Sequence, residues 1–189
     1  MIKRASKQNQ RGDRSEQSEN QGQESKMHTE LHELFLDELA DVYNAEQQLT
    51  KALPKIAKNC QSDELREAIE SHLEETQQHV SRLEEVAESL DESVKRKTCQ
   101  AMQGLLKEGD EVIREQKDSP ALDAAIIAAA QKVEHYEIAS YGTLVAWAER
   151  MGHEEATELL RETLEEEKAA DEKLTSVAES IANERAQAD

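Results

Sequence analysis

From about Met27 to Ile181 the apolar residues recur at spacings of three, four or seven, with only Pro54 and Pro120 to break the pattern, and nothing else in the chain narrows its fold so far. Leu31, Phe35, Leu39, Val42, Leu49, Leu53 and Ile56 share one stripe and predict a helix over 27–59. Pro54 lies inside that stripe, where its ring displaces the carbonyl four residues back, so a kink or an end near Leu53 is expected. A second helix over 63–90 opens on Ser62 and an acidic first turn, which suits an N-cap, and carries Leu65, Ile69, Leu83, Val86 and Leu90.

Residues 91–119 are too long for a turn. The amphipathic stretch from Lys97 to Glu115, with Met102, Leu105, Leu106, Val112 and Ile113, predicts a short crossing helix. Ser119-Pro120 opens a third long helix over 120–151 with proline in its first turn, and Gly152 closes it. The fourth, over 153–182, carries Leu160, Leu174, Val177 and Ile181. Two helical hairpins joined by one long crossover have the connectivity of the ferritin-like antiparallel four-helix bundle, so the expected class is all-α with an extra short crossover helix.

Composition agrees: a third of the 189 residues are charged, aromatics make up 3%, and Ala, Leu, Val and Ile dominate the apolar set, which disfavours sheets. The formal net charge of −19 argues against nucleic-acid or anionic-membrane binding, because phosphate contact needs a basic surface. No apolar run is long enough to span a bilayer, and the basic start lacks the apolar segment of a secretory signal, so a cytoplasmic location is expected. Cys60 and Cys99 read as reduced thiols, with no charged partner to activate Cys99. Residues 1–26 are polar and expected to be a disordered tail, 27–182 the bundle, and 183–189 a flexible C-terminus.

Ionisable residues on stripes that should be apolar are the informative ones. Glu46 sits between Val42 and Leu49. The second helix reads Leu65, Ile69, His72, Thr76, His79, Leu83, with Glu75 one position aside. The third passes Val133, then Glu134 or Glu137, then Tyr141 and Leu144; the fourth passes Leu160 and Thr163, then Glu166 or Glu167, then Ala170, Asp171 and Leu174. Glu46 to Glu75 and Glu137 to Glu166 are both 29 residues, and an offset of 91 superposes Leu73, Glu74, Glu75 and Leu83 on Leu164, Glu165, Glu166 and Leu174. Carboxylates and imidazole facing one core suit two divalent first-row metals, whereas without metal several buried acids would repel one another and some would stay protonated. His72 and His135 suit a role orienting a ligand, Tyr43, Tyr136, Tyr141 and Trp147 suit core positions with hydroxyls on buried acids, and His28, His32 and His153 are expected at exposed helix ends.

At these residues the chain resembles the YciF/YciE-type ferritin-like stress proteins. The segments DELADVYNAEQQLTKALPKIAK, HLEETQQHVSRLEEV, ALDAAIIAAAQKVEHYEIASYGTL and LLRETLEEEKAADEKL carry the resemblance, over about residues 28–180. It implies a homodimeric bundle with a dinuclear iron site, manganese being the alternative, and by position the ligands Glu46, Glu75, His79, Glu134 or Glu137, and Glu166, with Asp171 as a further candidate. One departure stands out. The Glu-x-x-His signature of di-iron proteins is not met, since Gln78 follows Glu75 and Ala169 follows Glu166 at that spacing. Glu75 with His79, and Glu167 with Asp171, are the nearest substitutes.

The reading that follows is a stress-response protein acting by metal redox, either oxidation of Fe(II) by O2 or peroxide or turnover of peroxide. A competing reading is a non-enzymatic dimeric bundle that binds a partner protein, its interior acids paired with basic residues or water.

Overall fold

The computed structural model describes residues 29–187, which leaves the expected tail at 1–26 and residues 188–189 outside the described part. Helix α1 spans Glu30–Ala57, α2 Asp63–Ser89, α3 Gln100–Gln116, α4 Leu122–Met151 and α5 Glu154–Val177. A π-helical stretch, Ala178–Ala182, and a short α6, Asn183–Gln187, continue α5. Helices α1 and α2 form one hairpin and α4 and α5 the other; α2 packs on α5, α1 on α4, and the crossover α3 lies across α4 and α1. The four-helix bundle with its extra crossover helix is therefore the observed fold. Among the described residues no helix is long and apolar enough to cross a membrane.

The helix ends show what the local sequence can and cannot specify. Thr29 caps α1, its hydroxyl accepting from the His32 amide at 3.2 Å. Pro54 does not end the helix near Leu53: it sits in the last turn, and α1 runs on to Ala57. Ser62 occupies the N-cap of α2 but makes no capping bond with its side chain. Buried Asp123, from the start of α4, accepts from the Gln61 and Ser62 amides at 2.7 and 2.8 Å and so ties the first hairpin to the second. Pro120 precedes the cap residue Ala121 rather than entering the first turn. Gly152, at φ 75°, closes α4 in the left-handed conformation expected of it. The fourth helix does not run unbroken to 182, and the stretch 183–187, expected to be a flexible terminus, is helical.

Two apolar layers fill the bundle. One gathers Leu49, Leu65, Ile69, Met102, Ile126, Val133, Leu174 and Val177. The other gathers Phe35, Leu39, Val42, Leu83, Val86, Tyr141, Leu144 and Leu160. On every long helix the chain passes from one layer to the other across a polar step: Val42 to Leu49, Ile69 to Leu83, Val133 to Tyr141, Leu160 to Leu174. Antiparallel packing brings those four steps to one level, where a belt of ionisable side chains is sealed from both ends.

The cysteines are structural. Burial pushes the Cys60 thiol up to about 12. Cys99 caps α3, its sulfur accepting from the Met102 amide and lying 3.1 Å from the Tyr136 hydroxyl, and its thiol is likewise raised by burial. His32 and His153 are half-buried rather than exposed, their rings edge-on at 5.7 Å beside Phe35. His28 lies outside the described residues.

Candidate metal centre

Glu46, His79, Glu137 and Glu167 are wholly buried at this level, and Glu134 and His72 nearly so. Each long helix contributes: Glu46 from α1, His72 and His79 from α2, Glu134 and Glu137 from α4, Glu167 from α5. The i, i+7 step on α2 and the i, i+3 step on α4 put each pair on one inward face.

Two groups of potential ligand atoms result, the atoms within each lying within 4.8 Å of one another: Glu46, His79 and Glu167, and His72, Glu134, Glu137 and Glu167. Glu167 belongs to both. His79 Nδ1 is 3.4 Å from Glu46 Oε1 and 3.0 Å from Glu167 Oε1, while its Nε2 meets Glu166 Oε2 at 2.9 Å. The two Nδ1 contacts are close enough for ion pairs but are not aligned as hydrogen bonds. His72 Nε2 lies 3.5 Å from Glu134 Oε1 and 3.9 Å from Glu167 Oε2.

The electrostatics follow from burial and crowding. Burial raises Glu134 and Glu137 well above the usual carboxylate range, and their neighbouring acids push Glu137 further. Glu46 is raised by burial, against the pull of His79. Glu167 goes the other way: burial opposes ionisation, but His79 and the charge of His72 hold its carboxyl below the usual value. Burial would push both imidazoles down, yet the carboxylates around them prevail and hold His72 up at about 9 and His79 at about 10. At neutral pH the protons on His72 and His79 thus offset carboxylate charge in the metal-free belt.

That arrangement leaves polar atoms without partners. Both oxygens of Glu137 and of Glu167, Oε2 of Glu46 and of Glu134, and both ring nitrogens of His72 are buried with no hydrogen bond. Buried polar atoms are rarely left so, and this many in one place fit lone pairs prepared for cations. The donor set of mixed carboxylate and imidazole suits first-row divalent ions.

Around the belt, Tyr141 donates to Glu46 Oε1 at 2.5 Å, the buried-acid contact anticipated for an aromatic. Arg82 donates to Thr163 Oγ1 and Glu166 Oε2, each at 2.6 Å, and to Glu162 at 2.9 Å. Burial notwithstanding, this guanidinium holds the Glu166 carboxyl below its usual range.

Of the residues anticipated from sequence, the structure brings together Glu46, His79, Glu134 and Glu137, resolving the choice on α4 by burying both acids. Glu75 and Glu166 are not in the two groups. Glu75 has 41% of its side chain exposed and reaches His72 Nδ1 at 3.5 Å from outside. Glu166, 30% exposed, is held at the edge by Arg82 and His79. Asp171 lies away from the belt, bonded to Gln131 and 3.4 Å from the exposed His135. The ligand set expected from the resemblance lacks Glu167, which the stripe on the fourth helix offered only as an alternative to Glu166, and His72, expected to orient a ligand; Arg82 carries no signal in the sequence. A signal for Glu167 was present: Leu160, Glu167 and Leu174 are spaced by sevens, as are Ile69, Thr76 and Leu83, so the inward positions are Thr76 and Glu167, one residue beyond the 29-residue pairing.

In that register the Glu-x-x-His pattern reads Thr76-x-x-His79 and Glu167-x-x-Ala170, half present on each helix. His72 and Glu134 lie one turn before the inward residues Thr76 and Glu137 and add an imidazole and a carboxylate to the cluster.

A family model described as "Domain of unknown function (DUF892)" matches residues 30–187. The chain is 49% identical over 158 residues to Protein YciF of Escherichia coli, covering 83% of this chain and 95% of that one. The crystal structure of that stress protein superposes with a TM-score of 0.79 over 83% of this chain and 99% of that chain. YcfI from Rhodopseudomonas palustris, 48% identical, gives 0.77 over 82% of this chain and 98% of that chain. A Xanthomonas campestris protein at 24% identity shares the fold, with a TM-score of 0.65 over 83% of this chain and 96% of its own. The chain belongs to the DUF892 family and is similar throughout its described bundle to the stress protein YciF.

Proposed function

We propose that this chain is a stress-response protein whose bundle holds a dinuclear iron or manganese centre serving the oxidation of Fe(II) by O2 or peroxide, or the turnover of peroxide. The observation that carries the reading is the pair of buried ligand groups meeting at Glu167. Two adjacent redox-active ions, when bound, supply paired one-electron chemistry. Glu46 and His79 would hold one ion and His72, Glu134 and Glu137 the other, with Glu167, common to both groups of ligand atoms, available to either. Tyr141 fixes the orientation of Glu46, and the Arg82–Glu166 pair closes the edge beside His79. The apolar layers on either side exclude water and keep the carboxylates close without solvent screening.

Elemental analysis after anaerobic Fe(II) loading tests this directly. About two metal atoms per chain are expected for a bundle site of this kind; substoichiometric metal in loaded protein refutes it. The competing reading, a non-enzymatic bundle acting through a partner protein, is favoured by the way Arg82 and His79 already satisfy Glu166. Melting with and without EDTA separates the two, since metal joining four helices stabilises the fold by mass action and a purely structural belt does not respond. The proposal keeps the protein as a cytoplasmic homodimer, and light scattering of the purified chain tests the mass.

A further inference from the structure

Two openings in the bundle surface reach the belt, and both end on Glu134. They differ in chemistry. One, a cavity of about 240 Å³ beneath α3, is walled mostly by aliphatic side chains including Leu53, Ile56, Leu106 and Ile113, with Lys51, Lys55 and Asp110 in its lining. The other, of about 380 Å³, runs between α2 and α5 and is walled by Glu64, Glu67, Glu75 and Glu166, with Lys173 and, at its inner end, His72 as the basic residues among those lining it.

His72 stands at the inner end of the second. It is 6% exposed, neither ring nitrogen has a hydrogen-bond partner, and the ring lies between wall and belt: Nδ1 is 3.5 Å from Glu75 Oε2, and Nε2 is 3.5 Å from Glu134 Oε1. A buried, unpartnered donor at the inner end of an acidic cleft is the arrangement a cation would meet on its way inward. On the α5 side Ala169 and Ala170 line the cleft between Glu166 and Lys173. Ala170 follows Glu167 by three residues and shares its helix face, so its small side chain leaves open a space that a larger one would fill.

We infer that the cleft between α2 and α5 is the port by which divalent cations enter the belt, with Glu64, Glu67 and Glu75 drawing them in, His72 receiving them and Ala170 keeping the passage open. The inference rests on the dinuclear reading above and adds the route. A dication entering beneath α3 would lose its hydration against mostly aliphatic walls, where Lys51 and Lys55 outnumber Asp110, whereas the cleft offers the carboxylate oxygens of Glu64, Glu67, Glu75 and Glu166 in exchange for water. Glu75 and Glu166, outside the two buried ligand groups, gain a role here as wall residues.

Uptake of Co(II), followed anaerobically by its visible absorbance in stopped flow, tests the port with a readout independent of catalysis. Ala170→Leu is expected to slow uptake by about tenfold or more while the final stoichiometry stays at that of the unaltered chain. Glu64→Gln/Glu67→Gln, which touches no ligand, is expected to slow uptake about tenfold at low salt and to flatten its dependence on ionic strength, the size charge focusing supplies. Ala52→Leu, in the lining of the α3 cavity, is expected to leave the rate unchanged. Wild-type rates in both cleft variants, or slowing confined to Ala52→Leu, overturns the port while leaving the centre standing. Absence of Co(II) binding by the unaltered chain overturns both.

Discussion

Metal must displace protons from this belt, and the number can be worked from the structure. At pH 7 His72 and His79, held at about 9 and about 10, each carry a proton that binding must remove. Burial also raises Glu134 and Glu137, which favours their protonated forms. Loading both positions should therefore release at least the two imidazole protons per chain, and more to the extent that these carboxyls give up theirs. The imidazoles sit two and three pH units below their midpoints; at about 1.4 kcal/mol per unit, stripping them opposes binding by roughly 7 kcal/mol at pH 7. Apparent affinity should thus rise with pH, the logarithm of the overall constant gaining at least two per unit around neutrality. Zn(II), which brings no redox change, is the suitable titrant. Proton release is read with an indicator dye in weak buffer, or by calorimetry in two buffers of different ionisation enthalpy. Release of less than about one proton per chain, at full occupancy of two metals, would refute the protonated imidazoles.

Three further outcomes follow from the same geometry. In EDTA, the fold should lose stability as pH rises from 6.5 to 10: His72 and His79 have folded pKa values above their unfolded ones, so their contribution is complete below 6.5 and lost through about 9 and 10, while the raised Glu134 and Glu137 act in the same direction. Each histidine is worth roughly 3 to 5 kcal/mol on this basis, on the order of 10 °C in melting temperature, and a flat or rising profile would contradict it. Glu167→Ala should lower metal content at both positions, whereas Glu75→Ala should load more slowly yet reach two per chain; equal stoichiometric losses in the two would show that Glu75 is a ligand after all. Tyr141→Phe removes the donor to buried Glu46 and should destabilise the metal-free fold by about 1 to 3 kcal/mol in urea titration, an unchanged midpoint arguing against that hydrogen bond.

The helices themselves were legible because each buries a stripe and the period of that stripe is a local property. Gly152 ends α4 as expected, since a residue at φ 75° is a backbone requirement that the residue type announces. The inward acid on α5 was not so clear. Glu165, Glu166 and Glu167 are adjacent and identical, one residue turns a helix by about 100°, and no contrast in polarity marks which of the three faces in. On α2 the stripe runs through Thr76, and Glu75, expected as a ligand from the resemblance, lies one position to its side, where packing turns it outward. Ser62 misled differently, because its side chain was a sufficient cap in principle while Asp123, 61 residues on, supplies the carboxylate that holds the turn.

The amino-acid sequence by itself determined the class of the molecule: four long amphipathic helices in two hairpins with a crossover, and on each stripe a polar interruption near the middle, because periodicity and patterning act over a few turns of chain. Tertiary structure decided which of the interrupting residues meet. Only the packing of α2 against α5 and of α1 against α4 fixes the rotation of each helix, places Glu167 between two ligand groups, turns Glu75 and Glu166 out toward a cleft and sets Arg82 against the latter. The pKa values belong to that level as well, since they arise from burial and from charges on other helices, neither of which exists in the chain before it folds.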